Sequence, residues 1–129
     1  MIYKGRSVNP GIVEGEALVT SEPIGFYGGV DAKTGIFIEK NHPLEGQSLT
    51  GKILVFPNGK GSTVGPYVIY GLMKNGVGPL AIINKETEPI VATGVILADV
   101  PCVDKIPVEQ LKDGARLRVN ATDGTVEVL

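Results

Sequence analysis

The run Asn58-Gly59-Lys60-Gly61-Ser62-Thr63 gathers two glycines, a cation and two hydroxyls in one short segment. Where a strand feeds a helix, such a segment offers an anion the free N–H groups of the first helical turn and the positive end of the helix dipole. A phosphate or a carboxylate suits it, with Gly59, Lys60, Gly61 and Thr63 as candidate binding residues around Ser62. The letters come near a nucleotide P-loop, G-x-x-x-x-G-K-[ST]. However, the residue five before Gly59 is Leu54 and Lys60 is followed by glycine, so that reading is rejected. Ser62 also lacks the G-x-S-x-G setting of a hydrolase nucleophile, and the chain has a single histidine, which leaves a Ser-His-Asp triad without support. A serine hydroxyl at a helix N-terminus, close to Lys60 or to a partner's cation, can instead have its alkoxide stabilised. The plainer alternative is that Ser62 or Thr63 caps the helix and the glycines only make the turn; the two roles are compatible.

Other chemistry-bearing residues offer less. His42 stands alone in NHPLEG and gives no metal site, so a structural or surface role is expected. Cys102, between Pro101 and Val103, reads as a small buried apolar residue. Asp31 follows the Gly28-Gly29 turn and either caps that loop or meets a partner at an interface. Glu86, Glu88 and Asp99 have no metal-ligand spacing and are expected on a solvated face; no metal ligands are assigned.

The elements that must position Ser62 are the clearest in the chain. Lys52 to Phe56 (KILVF) is a continuous apolar run of strand length, and a helical pattern follows PNGKGST, with Val64, Val68 and Leu72 on one face. Pro66 belongs in the first turn, which predicts Ser62 or Thr63 as the N-cap, and Gly76 is the stop. Leu80 to Asn84 supplies the next strand, so a βαβ unit spans about Lys52 to Asn84. Upstream, Ile12 to Thr20 alternates as a strand, Gly35 to Glu39 is a short apolar run, and the glycines and proline between them make Tyr27 to Lys33 a structured loop. Downstream come the apolar run Val95 to Ala98, a short helix over Val108 to Lys112, and strands Ala115 to Asn120 and Thr125 to Leu129 joined by the turn ATDG. The sum is a strand-rich α/β (β/β/α) chain with one main helix after Ser62, and residues 1–129 are read as a single domain.

Composition narrows the function classes. Twelve basic against fourteen acidic side chains, net charge −2, give no electrostatic footprint for nucleic acid or an anionic membrane. The N-terminus has no apolar h-region and no run approaches the ~20 residues that span a bilayer, so a cytoplasmic protein is expected. One cysteine cannot by itself hold an iron–sulfur cluster; any such cofactor must be held mainly by another chain.

Three segments resemble a known family at matching spacing: FYGGVDAKTG (Phe26 to Gly35), HPLEGQSLTGKILVFPNGKGSTVGPYVIYGL (His42 to Leu72) and AIINKETEPIVATGVILADVP (Ala81 to Pro101). They are similar to the small subunits of archaeal phosphomevalonate dehydratases, the swivel-domain half of the aconitase X group. The resemblance implies the swivelling β/β/α fold of aconitase-type enzymes. It implies a larger partner subunit carrying an iron–sulfur cluster, of the 4Fe-4S type, with none bound by this chain. It also implies dehydration of (R)-5-phosphomevalonate to trans-anhydromevalonate 5-phosphate in a modified mevalonate route to isoprenoids. The family's proton-accepting serine falls in K-G-S-T, hence on Ser62. Catalysis at a subunit interface would turn the Ser62 end of the sheet and the loop carrying Gly28, Gly29 and Asp31 towards the partner, and the isolated chain should be inactive. Relatives that dehydrate a hydroxyproline share the serine motif, and the same fold recurs in phosphohistidine-carrying modules; His42, however, does not sit at the strand-to-helix turn.

Overall fold

In the computed structural model, which describes residues 1–129, the elements run β1 (Ile2–Lys4), β2 (Arg6–Asn9), β3 (Ile12–Val19), a single-turn segment α1 (Phe26–Gly29), β4 (Ile53–Phe56), α2 (Gly65–Lys74), β5 (Ala81–Asn84), α3 (Pro89–Ala98), β6 (Cys102–Asp104), a 3-10 turn (Val108–Gln110), β7 (Arg116–Asn120) and β8 (Thr125–Val128). The strand order is β1-β8-β7-β3-β4-β5-β6-β2. β3 to β6 are parallel neighbours, flanked on both sides by antiparallel strands. The expected βαβ unit is present as β4-α2-β5.

Two strands change partners and roll the sheet up. The first part of β3, Ile12 to Glu16, pairs with β7, while Ala17 to Val19 pair with β4. β1 pairs with β8 and β2 with β6, yet only Gly5 separates β1 from β2, so the two ends of the strand order meet. Gly5 donates to Gly124 O at 2.7 Å, and a side chain there would overlap the Asp104 carbonyl oxygen. The seam is locked by Asp104, whose buried carboxylate accepts from Arg6 Nε (3.0 Å), Arg6 Nη2 (2.7 Å) and the Thr87 N–H (2.9 Å). Burial opposes ionisation of Asp104, but the Arg6 guanidinium and the Thr87 amide outweigh it and hold the carboxyl below its usual range.

Alternation along the parallel strands builds three layers. Ile53 and Val55 of β4 join Ala17, Ala81, Ile83, Val103, Leu117 and Val119 in a core between the two halves of the rolled sheet. Leu54 and Phe56 point the other way, into a second core with Ile69 and Leu72 of α2 and Val91 and Val95 of α3. This is the β/β/α architecture read from the sequence.

Several local expectations shift. α2 begins at Gly65, its N-cap is Val64, and no side chain caps it. Its buried line is Gly65, Pro66, Ile69 and Leu72; Leu72 stays on the expected stripe and Val68 packs at its edge, while Val64 is exposed because it precedes the helix as its N-cap. The C-terminal stop holds: Gly76 has φ +72 and Val77 N donates to Leu72 O at 3.0 Å. A second ten-residue helix, α3, accompanies α2 where a single main helix was expected; Val95 to Ala98 is its last turn. Its sequence, PIVATGVILA, is apolar on every face, which erases the helical period from the letters. β1, β2 and β6 also went unread, each being only three or four residues long. No helix is long and apolar enough to cross a membrane.

Candidate active site

The β4–α2 loop starts from the C-terminal end of a parallel strand, the place where open α/β sheets bind ligands. Its first half is held on one side by Ile24: Ile24 N donates to Asn58 O (3.2 Å) and Lys60 N donates to Ile24 O (3.1 Å). Its second half is a tight turn in which Gly61 takes φ +92 with open space about it. Gly61 is therefore a glycine for backbone conformation. Ser62 follows, half-buried; its Oγ accepts from Val64 N at 3.0 Å and its carbonyl accepts from Gly65 N at 3.0 Å.

These bonds change what the segment offers. The first-turn amides predicted to be free are already used: Val64 and Gly65 bond to Ser62, Pro66 has no N–H, and Tyr67 N donates to Val64 O. Open N–H groups lie earlier in the loop, on Gly59 and on the consecutive residues Gly61, Ser62 and Thr63. The Ser62 hydroxyl proton likewise has no acceptor in the chain. The arrangement can bind an anion through successive backbone donors beside a hydroxyl, and no acceptor in the chain stands within hydrogen-bond distance of the Ser62 proton.

Lys60 joins this loop to the Gly28-Gly29 turn. Its Nζ lies 3.2 Å from Glu39 Oε2, and Glu39 Oε1 lies where it would be 3.4 Å from a Cβ on Gly29. α1 is a turn in which Tyr27 (φ −74, ψ 116) and Gly28 (φ +82) leave helical geometry, as the expected structured loop requires. Phe26 anchors it against Phe56 in an edge-to-face pair at 6.0 Å. Asp31 shapes the following bend, its Oδ1 accepting from Lys33 N at 2.9 Å. Asn75 Nδ2 then donates to Ala32 O at 2.9 Å, which fastens the loop to α2. Tyr27 and Tyr67, 62% and 67% exposed, stand on the two elements so joined.

The other candidates settle into structural roles. His42 is buried, stacked on Phe37 with 5.9 Å between ring centroids. Leu44 N donates to Nδ1 (3.1 Å), which leaves Nε2–H to donate to Pro23 O (3.1 Å), so neither nitrogen is free for a phosphoryl group. Burial pushes the Cys102 thiol up to about 12, so it remains a thiol. No three metal-ligating side chains converge anywhere, and the residues present do not suit an iron–sulfur cluster. Glu86 pairs with Lys105 and Asp99 is a left-handed helix end bonded to Asn9. Glu88 departs from the solvated face expected of it: it is half-buried and caps α3, Oε2 accepting from Ile90 N (2.9 Å) and Oε1 from Val91 N (2.8 Å). The signal was legible as an acid directly before Pro89, since proline favours the first helical position and an acid the cap.

A recess of about 590 Å³ opens among Val19, Thr20, Pro57, Lys85 and Leu111, and a polar recess of about 310 Å³ is lined by Glu22, Glu39, His42 and Lys60. Neither includes Ser62. The serine stands half-buried at the surface, outside both recesses.

Comparison with known proteins fits this geometry. A family model described as the aconitase X swivel domain matches residues 2–128. The chain is 55% identical over 129 residues to the phosphomevalonate dehydratase small subunit of Methanosarcina acetivorans, covering 98% of this chain and 90% of that one. It is also 55% identical to the protein of the same name from Methanocaldococcus jannaschii, covering 100% and 98%. A crystal structure of Thermococcus kodakaraensis aconitase X in its holo-form superposes with a TM-score of 0.99 at 53% identity, covering 100% of this chain and 98% of that one. A solution NMR structure of a UPF0107 protein gives 0.91 at 49% identity, covering 100% and 99%. With the rolled mixed sheet, the paired helices on one face and full-length matches on every side, the chain belongs to the aconitase X swivel-domain family.

Proposed function

We infer that this chain is the small subunit of a phosphomevalonate dehydratase, a hydro-lyase that removes water from (R)-5-phosphomevalonate to give trans-anhydromevalonate 5-phosphate. The name shared by its full-length relatives supports the activity. The observation that carries the residue assignment is the Ser62 hydroxyl, whose proton no group in the chain accepts, beside the open amides of Gly61, Ser62 and Thr63.

In this reading Ser62 is the proton acceptor. Dehydration of a 3-hydroxy acid takes a proton from C2 and releases the C3 hydroxyl as water. Ser62 Oγ receives the C2 proton; its own proton must first leave to solvent or to a base of the partner subunit, since this chain holds no acceptor for it. The adjacent amides favour the negative oxygen, as oxyanion donors do in a site closed to water. Gly59 and Gly61 let the backbone approach the substrate, and Lys60 and the Thr63 hydroxyl add donors for its phosphate or carboxylate. The large subunit supplies the cluster, of the 4Fe-4S type, a reading supported by membership of the aconitase X family and by the name its relatives share. The partner meets the face formed by the Ser62 loop and the turn carrying Gly28, Gly29 and Asp31, with Tyr27 and Tyr67 as apolar contacts; exposed aromatics of this kind anchor protein interfaces. Residues 1–129 act as one swivel domain in a cytoplasmic enzyme.

The test is turnover of (R)-5-phosphomevalonate by this chain, by the large subunit, and by their anaerobically reconstituted mixture, with Ser62→Ala alongside. Activity in the mixture alone, lost with the serine, is the expected result. A loaded complex that ignores phosphomevalonate and dehydrates a hydroxyproline would replace the substrate, and a Ser62→Ala complex of undiminished activity would remove the serine from the mechanism.

A further inference from the structure

Three glycines surround Ser62, and they are glycines for different reasons. Gly61 has φ +92 and nothing near its missing side chain. Gly59 and Gly65, three residues before and three residues after Ser62, have no positive φ. Both are required by space. A Cβ on Gly59 would overlap Glu88 Oε1 and lie 2.6 Å from Val91 Cγ2; one on Gly65 would lie 2.8 Å from Ile90 Cγ2. The serine loop is thus pinned at both ends on the first turn of α3, and only its middle, the part with open amides, stands clear.

That turn is itself held rigidly. Glu88 uses both oxygens on Ile90 N and Val91 N. Thr87 donates its N–H to Asp104 and its hydroxyl to Asn84 Oδ1 (3.0 Å), and Asn84 Nδ2 donates to Phe56 O (3.0 Å), the last residue of the strand that launches the loop. The chain of contacts from Phe56 through Asn84, Thr87 and Glu88 back to Gly59 makes the position of the loop depend on the α3 cap.

We propose that Glu88 is a positioning residue for Ser62: its carboxylate is the wall on which Gly59 rests, and it sets where the serine hydroxyl stands. This rests on the reading of Ser62 as the proton acceptor. A merely structural cap and a positioning wall are separated by Glu88→Asp, which keeps a capping carboxylate but draws it back one methylene from Gly59. The full chain should melt at an unchanged temperature while the amide resonances of Gly61 to Thr63 move. The reconstituted complex should lose about tenfold in kcat with KM unchanged, and Gly59→Ala, which pushes the loop off the wall, about 100-fold. In the double variant the new methyl is relieved of its overlap with the carboxylate, though not of its 2.6 Å approach to Val91 Cγ2, so the loss should be smaller than the product of the two single losses while exceeding that of Glu88→Asp alone. Glu88→Asp resonance changes confined to residues 89–92 with kcat unmoved, or a strictly multiplicative double variant, would overturn the proposal. Moved Gly61 to Thr63 resonances in a chain whose wild-type complex turns over no phosphomevalonate would instead uphold the positioning and sink the substrate reading.

Discussion

The loops after β4 and β5 leave neighbouring parallel strands at the same end of the sheet, and each enters a ten-residue helix with proline in its first turn. The loop after β5 leaves one N–H open, that of Glu88: Lys85 and Glu86 N–H groups donate to Pro57 O, Thr87 N to Asp104, and Ile90 and Val91 N to Glu88. The loop after β4 leaves Gly61, Ser62 and Thr63 N–H groups and one hydroxyl proton without acceptors. Unsatisfied donors are costly when buried, so they persist here on open surface, where water or a ligand can meet them. One loop has nearly all its donors satisfied and the other leaves several open, and the first packs against the second at Gly59 and Gly65.

The contrast breaks most sharply at Ser62. Ser62→Ala should lower turnover of the reconstituted enzyme by about 10³-fold, in the range expected for losing a general base, while leaving the chain's melting temperature nearly unchanged. Asp104→Asn attacks the loop after β5 and should destabilise the chain by about 2 kcal/mol near neutral pH, measured by denaturant unfolding. Because the Asp104 carboxyl is held below its ordinary range, its stabilisation is full above the unfolded carboxylate pKa of about 4 and is lost as pH falls through the lower folded value. The gap between wild type and Asp104→Asn should therefore narrow as pH falls below that range; a gap that widens would reverse the assignment. Glu88→Ala removes the cap and should cost about 1 kcal/mol in the same unfolding assay. Lys60→Ala sharpens the comparison from the other side: the exposed Lys60–Glu39 pair should contribute under ~0.5 kcal/mol to stability, so any loss of phosphomevalonate binding measured as KM would be a substrate effect.

The interface reading is checked on the same surface. Tyr67→Asp should weaken assembly with the large subunit, seen as a reduced complex peak in size-exclusion chromatography, while leaving the isolated chain folded, since Tyr67 is exposed.

Much of this was open to reading in the letters. KILVF, PNGKGST and LAIIN announced β4-α2-β5 because a buried strand, a glycine turn and a second buried strand leave few alternatives. The count of one cysteine pointed any cluster to another chain. α3 was missed because a helix apolar all round has no period to detect, and with it went the partner-changing β1–β2 seam, whose strands are too short to register. The N-cap was placed at Ser62 or Thr63 on residue type; in the fold the hydroxyl bonds Val64 N two residues on, and the helix begins later.

The sequence by itself determined the strand-to-helix turn, the residue types within it and the family to which they belong, because these depend on local backbone preferences and on the order of letters. Which donors are left open, why Gly59 and Gly65 must lack side chains, and that Glu88 supports the serine loop were decided by the tertiary structure. Those facts arise from contacts between segments 25 to 32 residues apart in sequence, brought together when α2 and α3 pack side by side over one face of the sheet.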